Sequence, residues 1–327
     1  GIGGEAVKAF QLGFAPNRWD FLYRLATRKG FSAQDFMASG LGLQGEKGVH
    51  DRFRGRIIFP IRDLQERVIA FGGRILGDGQ PKYLNSPETP VYTKSRHLYA
   101  LDRARREIVR EGFAVLVEGY TDVIGLWQAG IRNVAATLGT ALGEEHLEVL
   151  RRYADTVYLV LDGDAAGQTR TRQILELFVT AGVDLRIATL PDGLDPADFV
   201  RARGGQALTA LLDEAVDALE FKFRALTSDL DVTHQTHRAH QALEDLLETV
   251  ARSARACGMD ASALRVQQML TRLARFFALD EADVRQRYRQ LLRAAQRRED
   301  KPERAMPRFE PAHEPPSEGH RLAWLTP

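Results

Sequence analysis

The 327-residue sequence predicts an α/β protein. Its centre is a Rossmann-like, mostly parallel sheet flanked by helices, preceded by an α+β N-terminal lobe and followed by a helical subdomain. Three observations carry this reading. Apolar runs without polar alternation, such as FAVLV at 113–117 and TVYLVL at 156–161, fit strands covered on both faces. Between 113 and 214 such runs alternate with segments of helical period. From 215 to 297 strand signals cease, and Ala, Leu, Glu and Arg recur at helical spacing.

In chain order, residues 1–48 read as short helices and loops. FAPNRWDFLYRLATRKG has helical spacing, with Asn17 as candidate N-cap and Gly30 as a stop. Two β-rich runs, 56–61 and 67–72, flank a polar turn and predict a hairpin. The Gly72-Gly73 pair marks a bulge or a close backbone approach. Residues 78–97 are turn-rich and long for a passive connector, and a helix is expected over about 97–111. FAVLVEG then opens the α/β region as a strand, and YTDVIGLWQAG is a helix ending at Gly130. NVAAT is a strand, GEEHLEVLRRYA a helix, TVYLVLD a strand, and AAGQTRTRQILELFVTAG a helix ending at Gly182. VDLRIATL is a strand, PDGLDPADFVRARGG a loop or short helix, and a helix runs to about 214. The proline-bearing, polar stretch 299–327 reads as a flexible tail. The expected domains are 1–112, 113–214 and 215–298, with the tail beyond.

Composition narrows the function. Hydrophobic residues are 44% and charged residues 27%, which excludes wholesale disorder. No apolar run is long enough to cross a bilayer and no secretory signal opens the chain, so no membrane is expected. A single cysteine, Cys257, can form neither an internal disulfide nor a thiolate zinc cluster, and reads as inert core in a cytoplasmic protein. The net charge of +1 hides an asymmetry. Residues 1–113 carry 19 Lys+Arg against 12 Asp+Glu, and residues 114–214 carry 8 against 15. A basic lobe suits a polyanion and a carboxylate cluster suits divalent cations; two unrelated solvated faces are the alternative.

Three acidic residues fall where strands end. Glu118 closes one strand, Asp162 closes another, and Asp164 follows it. If the strands are neighbours, the carboxylates meet at one rim, where mutual repulsion is relieved by bound cations. Asp162-Gly163-Asp164 alone also fits a turn that starts a helix, and Asp122 fits stabilisation of a helix N-terminus. His234, His237 and His240 lack matching ligands and read as a solvated helix face. Leu138–Gly143 lacks P-loop spacing; it either helps place phosphates or opens the next helix.

Strand-Glu-Gly-x-x-Asp followed by strand-Asp-x-Asp resembles the Toprim domain, shared by DnaG-type primases, topoisomerases and several nucleases. FRGRIIFPIRD, VIAFGGR, PKYLNSPETPVYTKSRHLYAL, LVEGYTDVI, ATLGTAL, LVLDGDAAG and LPDGLDPADFV together resemble the catalytic, RNA polymerase core of bacterial DnaG-type primases, from about residue 8 to about 215. The resemblance implies synthesis of short RNA primers on single-stranded DNA from ribonucleoside triphosphates, by metal-dependent nucleotidyl transfer. It implies Mg²⁺ or Mn²⁺, two or more ions, at Glu118, Asp162 and Asp164, with Glu118 as a metal ligand or acid/base group. The family's later acidic pair maps onto Asp195, with Ala197 in the second position and Asp198 one residue on. Asp198 also fits a helix cap. Arg74, Lys82, Asn85 and Lys94 match the family's nucleotide and template groove, and Arg52, Arg54, Arg56 and Arg96 extend that surface. For each of these cations a solvated charge is the alternative, and for Asn85-Ser86-Pro87 a turn. The family's zinc module and its contact with the replicative helicase belong to parts not seen in this sequence, so no zinc is expected here. The expectation is a monomeric catalytic fragment, cytoplasmic and at the nucleoid during replication. The rivals are a Toprim nuclease or topoisomerase relative, and a non-catalytic metal- and DNA-binding module.

Overall fold

The computed structural model describes residues 1–162, 168–180, 182–232, 234–259 and 263–299. Three sheets organise them. The first is four-stranded and antiparallel, in the order β1-β4-β5-β6, from Gly13–Ala15, Arg56–Arg62, Val68–Ile75 and Tyr83–Asn85. The second is a small hairpin, β2 (Gly42–Gly45) with β3 (Gly48–Asp51). The third is five-stranded, in the order β11-β10-β9-β7-β8. Its strands are β7 (Phe113–Val117), β8 (Val134–Ala136), β9 (Thr156–Leu161), β10 (Asp184–Thr189) and β11 (Val216–Asp217). The first four are parallel and β11 is antiparallel to β10.

Burial on both faces explains the unbroken apolar runs. Along β7, Ala114 and Leu116 join one buried cluster while Val115 and Val117 join another. The first cluster takes in α4 (Leu101–Glu111), α6 (Glu144–Leu150) and α7 (Gln168–Thr180). It continues into α10 (Ala218–Thr227), α11 (Thr236–Ala256), α12 (Leu264–Phe276) and α13 (Glu281–Glu299). The second joins α1 (Gly4–Ala9) and the antiparallel sheet to α5 (Tyr120–Gln128), α8 (Pro196–Arg203) and α9 (Gly205–Asp213). Each lobe therefore packs on its own face of one central sheet.

The predicted hairpin forms as β4 and β5, with a register shift at Ile61/Arg62 rather than at the glycines. Gly72 and Gly73 instead permit close approach. A Cβ on Gly72 would lie 2.5 Å from the Tyr120 ring, and one on Gly73 would lie 2.7 Å from Phe53. Tyr120 stacks on Phe59 at 5.1 Å, so Gly72 sets how near α5 comes to the antiparallel sheet.

Several sequence expectations need correction. The region 1–48 contains β1 and β2 besides its helices, α2 being Phe21–Arg28 and α3 Ala33–Ala38. Asn17 does not cap α2. The cap comes from Asp51 on β3, whose carboxylate accepts the backbone N–H groups of Leu22 at 2.7 Å and Tyr23 at 2.8 Å. Those are the orphan donors of a first helical turn, satisfied from a distant strand. The helix expected from 97 starts at Leu101, after a 3₁₀ turn at Lys94–Arg96. The helical stretch after 214 opens with β11, whose Asp217 accepts the Glu220 N–H and so caps α10. Cys257 is exposed at the end of α11 rather than buried. His234, His237 and His240 are exposed, as expected. The tail beyond 299 lies outside the described residues. No described helix is long and apolar enough to cross a membrane.

Candidate metal centre and nucleic-acid interface

The parallel sheet reverses its winding between β7 and β9. From β7 the chain moves outward to β8, returns to β9 on the other side of β7, and moves away to β10. Such a switch point opens a crevice at the carboxyl ends of the strands. Glu118 follows β7 there and Asp162 follows β9, and the pairing of Leu116 with Leu159 brings the two strand ends level. The neighbouring strands that the sequence argument required are thus present. Asp164 lies outside the described residues. Among the described residues, no group of three or more acidic, His or Cys side chains meets in metal-holding geometry.

Asp122 closes the Glu-Gly-x-x-Asp pattern, with stabilisation of the helix N-terminus as its alternative, and the fold sets it among the carboxylates. Burial, then the nearby charges of Asp195 and Asp162, push its carboxyl up to about 7. Backbone N–H groups of Gly119 and Ala197 act against that rise by donating to it. Asp122 therefore ties the end of β7 to the start of α8. A Cβ on Gly119 would fall 2.7 Å from Asp122 Oδ2, so the glycine makes room for the carboxylate. The signal was present in EGYTD: three residues after Gly119, one helical turn returns a side chain toward the strand end.

Asp195 takes the capping part that the sequence offered to Asp198. Asp195 is the helix cap, with Oδ1 accepting the Asp198 N–H at 2.7 Å. Asp198 sits in the first turn of α8 and pairs with Arg201 at 2.7 Å. Ala197, in the position where the family pattern has an acid, packs on α5: a Cβ on Gly125 would lie 2.7 Å from the Ala197 Cβ.

Arg74 and Lys82 line a cavity of about 680 Å³ together with Thr121, Asp195, Asp198 and Arg201. Cations at the antiparallel sheet thus share a cavity with the carboxylates at the start of α8. Arg74 lies 5.5 Å from the centre of the Tyr83 ring, whose hydroxyl is 3.3 Å from Thr121 Oγ1. Glu118 lines a separate cavity of about 500 Å³ with Gly139, Thr140, Ala141 and Gln173. The glycine-bearing loop at 138–143 is therefore a wall beside Glu118.

Other predicted binding residues are occupied. Asn85 is no turn residue but ends β6; its Nδ2 donates to the Leu138 carbonyl at 2.8 Å and its Oδ1 accepts from Tyr120 OH at 2.7 Å. Arg52 donates twice to the Asn85 carbonyl, at 3.2 and 2.9 Å. Arg54 lies 4.5 Å from the centre of the Trp19 ring. Arg96 pairs with Glu145 at 2.8 Å and lines a different cavity from Arg74. Arg56 is corrected outright. It is 5% exposed, and its guanidinium donates to the Pro81 carbonyl at 2.8 Å and the Gly73 carbonyl at 3.3 Å. It is a brace within the lobe, not part of a surface.

Comparison with known proteins agrees with this architecture. Residues 1–105 match the family model for the DNA primase catalytic core, N-terminal domain, and residues 115–200 match the Toprim-like model. The DNA primase of Halalkalibacterium halodurans is 36% identical over 300 residues, covering 91% of this chain and 49% of the relative. That of Escherichia coli K12 is 38% identical over 243 residues, covering 73% of this chain and 42% of the relative. The chain thus spans less than half the length of these curated relatives. Among solved structures, a DNA primase domain from Pseudomonas aeruginosa superposes with a TM-score of 0.76 at 36% identity, covering 90% of this chain and 89% of that one. The DnaG primase catalytic domain bound to ssDNA superposes with a TM-score of 0.71 at 33% identity, covering 86% and 87%. Sequence and architecture together place this chain in the bacterial DnaG-type DNA primase family, where it corresponds to the catalytic core.

Proposed function

We propose that this chain is an RNA-polymerising core that makes short primers on single-stranded DNA from ribonucleoside triphosphates. The observation that carries the proposal is the cavity that Arg74 and Lys82 share with Asp195, whose charge, with that of Asp162 at the end of β9, acts on Asp122. Cations suit the phosphates of template and triphosphate. The carboxylates at the rim suit divalent cations, Mg²⁺ or Mn²⁺. The chemistry of the donor set fits: burial first, and then the charges of Asp195 and Asp162, raise Asp122, and a cation relieves the repulsive part.

In this reading Glu118, Asp162, Asp164 and Asp195 are the metal-holding set, with Asp122 behind them and Asp198 at its edge. Held by these carboxylates, divalent ions would supply charge neutralisation for the triphosphate and a lowered pKa for the attacking 3′-hydroxyl. The chain's own residues bind and align. Arg74 and Lys82 hold phosphate oxygens at the mouth of the cavity, and Glu118 accepts the proton of the hydroxyl. Arg54 and Lys94 extend the grip along the template. Arg52 and Asn85 act indirectly, by fixing β6 to Leu138 and Tyr120. A zinc module and the replicative helicase would engage parts of a longer protein, and the core itself would work as a monomer in the cytoplasm, at replication forks on the nucleoid.

The test is incubation with single-stranded DNA, labelled ribonucleotides and Mg²⁺ or Mn²⁺, beside Asp162→Asn. Metal-dependent ribonucleotide chains, lost in the variant, are expected. Metal-dependent cleavage of the DNA without synthesis would overturn the reading in favour of a Toprim nuclease. Binding without turnover, persisting after a zinc module is added in trans, would reduce it to a binding module.

A further inference from the structure

The 3₁₀ turn Lys94–Arg96 is held by side chains from outside it at every residue. The Lys94 backbone N–H donates to Glu88 Oε1 at 3.1 Å, and the Lys94 carbonyl lies 2.8 Å from His146 Nε2. Glu145, next to His146 in the first turn of α6, accepts from Arg96 Nε at 2.8 Å and from the Ser95 side chain. His146 is 1% exposed. Its Nδ1 accepts the Gly143 N–H at 3.2 Å, so its proton resides on Nε2 and is donated to the Lys94 carbonyl. Burial keeps the ring neutral, with His97 adding to that effect and Glu145 and the Lys94 carbonyl opposing it. The same ring thus ties together two segments. One bears Lys94; the other runs from Leu138 to Gly143, beside Glu118.

Both main-chain polar groups of Lys94 are consumed by this clasp, while among the described residues its ammonium meets no hydrogen-bond or ion-pair partner. A long flexible lysine normally loses rotamer and backbone freedom when it grips a phosphate. A backbone already fixed on a rigid helix end removes part of that cost.

We propose that His146 and Glu88 are positioning residues that preset Lys94 to grip a phosphate group of the template or the nucleotide. The inference rests on the primase reading for its ligand. His146 and Glu88 touch neither substrate nor reacting atoms; they act through Lys94.

The test is a double-mutant cycle. The parent chain is compared with His146→Phe, which fills the space but donates nothing, and His146→Gln, which retains a distal N–H donor. Glu88→Ala, Lys94→Ala and the His146→Phe/Lys94→Ala double variant complete the set. Affinity for a single-stranded oligonucleotide is measured in metal-free buffer, and KM and kcat for ribonucleotides in primer synthesis. His146→Phe and Glu88→Ala are expected to weaken one of these by about 5- to 10-fold, with kcat within about 2-fold. His146→Gln should stay near the parent. In the Lys94→Ala background His146→Phe should cost nothing more, because the residue it positions is gone. A loss in oligonucleotide affinity identifies the template phosphate, and a loss in KM the triphosphate. An equal loss with and without Lys94 overturns the proposal and makes His146 merely structural; so does no loss at all. Should His146→Phe fail to fold, the exposed Glu88 carries the same cycle. Should the parent bind DNA but make no RNA, the primase reading fails while the coupling is still scored on DNA affinity.

Discussion

The two halves of the site are built in opposite ways. The carboxylate rim is assembled by topology: β7 and β9 lie side by side, and whatever follows them shares the crevice. The basic lobe is assembled by competition for its own cations. Arg56 and Arg52 spend their donors on backbone carbonyls and Arg96 spends one on Glu145, while Arg74 and Lys82 face the cavity. Carboxylates at strand ends announce themselves in sequence. Arginines that bind and arginines that brace do not.

Substitutions that act on chemistry alone should separate from those that act on the fold. The largest effect is expected at the rim. Asp162→Asn and Glu118→Gln should each lower metal-dependent synthesis by about 10²–10³-fold or more, as loss of a group stabilising transition-state charge does. Thermal midpoints should stay close to the parent, since neither residue lies in the buried core. A variant that lost activity by unfolding would erase the distinction between rim and lobe.

Arg56→Ala should do the reverse. Removing a buried guanidinium takes a donor from the Pro81 and Gly73 carbonyls, at about 1–3 kcal/mol per group left unsatisfied. A loss of about 3 kcal/mol in denaturant unfolding is expected. Unchanged stability with weakened DNA binding would return Arg56 to the surface that the sequence assigned it.

How far the sequence reached follows the same division. The order of β7, β8 and β9 was legible because each is an unbroken apolar run, the consequence of having two covered faces. β2 and β3 were not legible. GLQG and GVHD lack a β-branched or aromatic run, and they pair because tertiary contacts hold them, Asp51 capping α2 and His50 stacking on Trp19 at 4.1 Å. Asn85 was singled out as a ligand-binding residue, and its structural bonds could not be foreseen, because its amide joins Leu138 and Tyr120, partners 53 and 35 residues away. The charge environment of Asp122 was not legible because its neighbours Asp195 and Asp162 come from distant elements, the start of α8 and the end of β9.

Asp122 offers a pH test of the rim. Its folded carboxyl sits at about 7 against an ordinary 3.8. A raised value means that the folded state favours the protonated form, so this contribution is complete below about pH 4 and is lost as pH rises toward 7. Metal-free protein should therefore gain about 2 kcal/mol at pH 8 from Asp122→Asn and little at pH 4. Added Mg²⁺ should stabilise the parent at pH 8 more than the variant. Equal gains at both pH values would show that packing, not charge, sets the effect.

The smallest effect should come from Arg74, where the comparison is sharpest because both halves of the site meet. Its guanidinium faces the cavity and lies over the Tyr83 ring, a contact worth about 0.5–1 kcal/mol at such a site. Arg74→Ala should thus barely change the unfolding midpoint. If it grips one phosphate, the slope of log affinity for single-stranded DNA against log salt should fall by about 0.7. Arg56→Ala, refolded and assayed under stabilising conditions, should leave that slope unchanged. The pair of slopes is a direct reading of which arginine faces a polyanion and which faces the protein, a distinction that charge counting along residues 1–113 could not make.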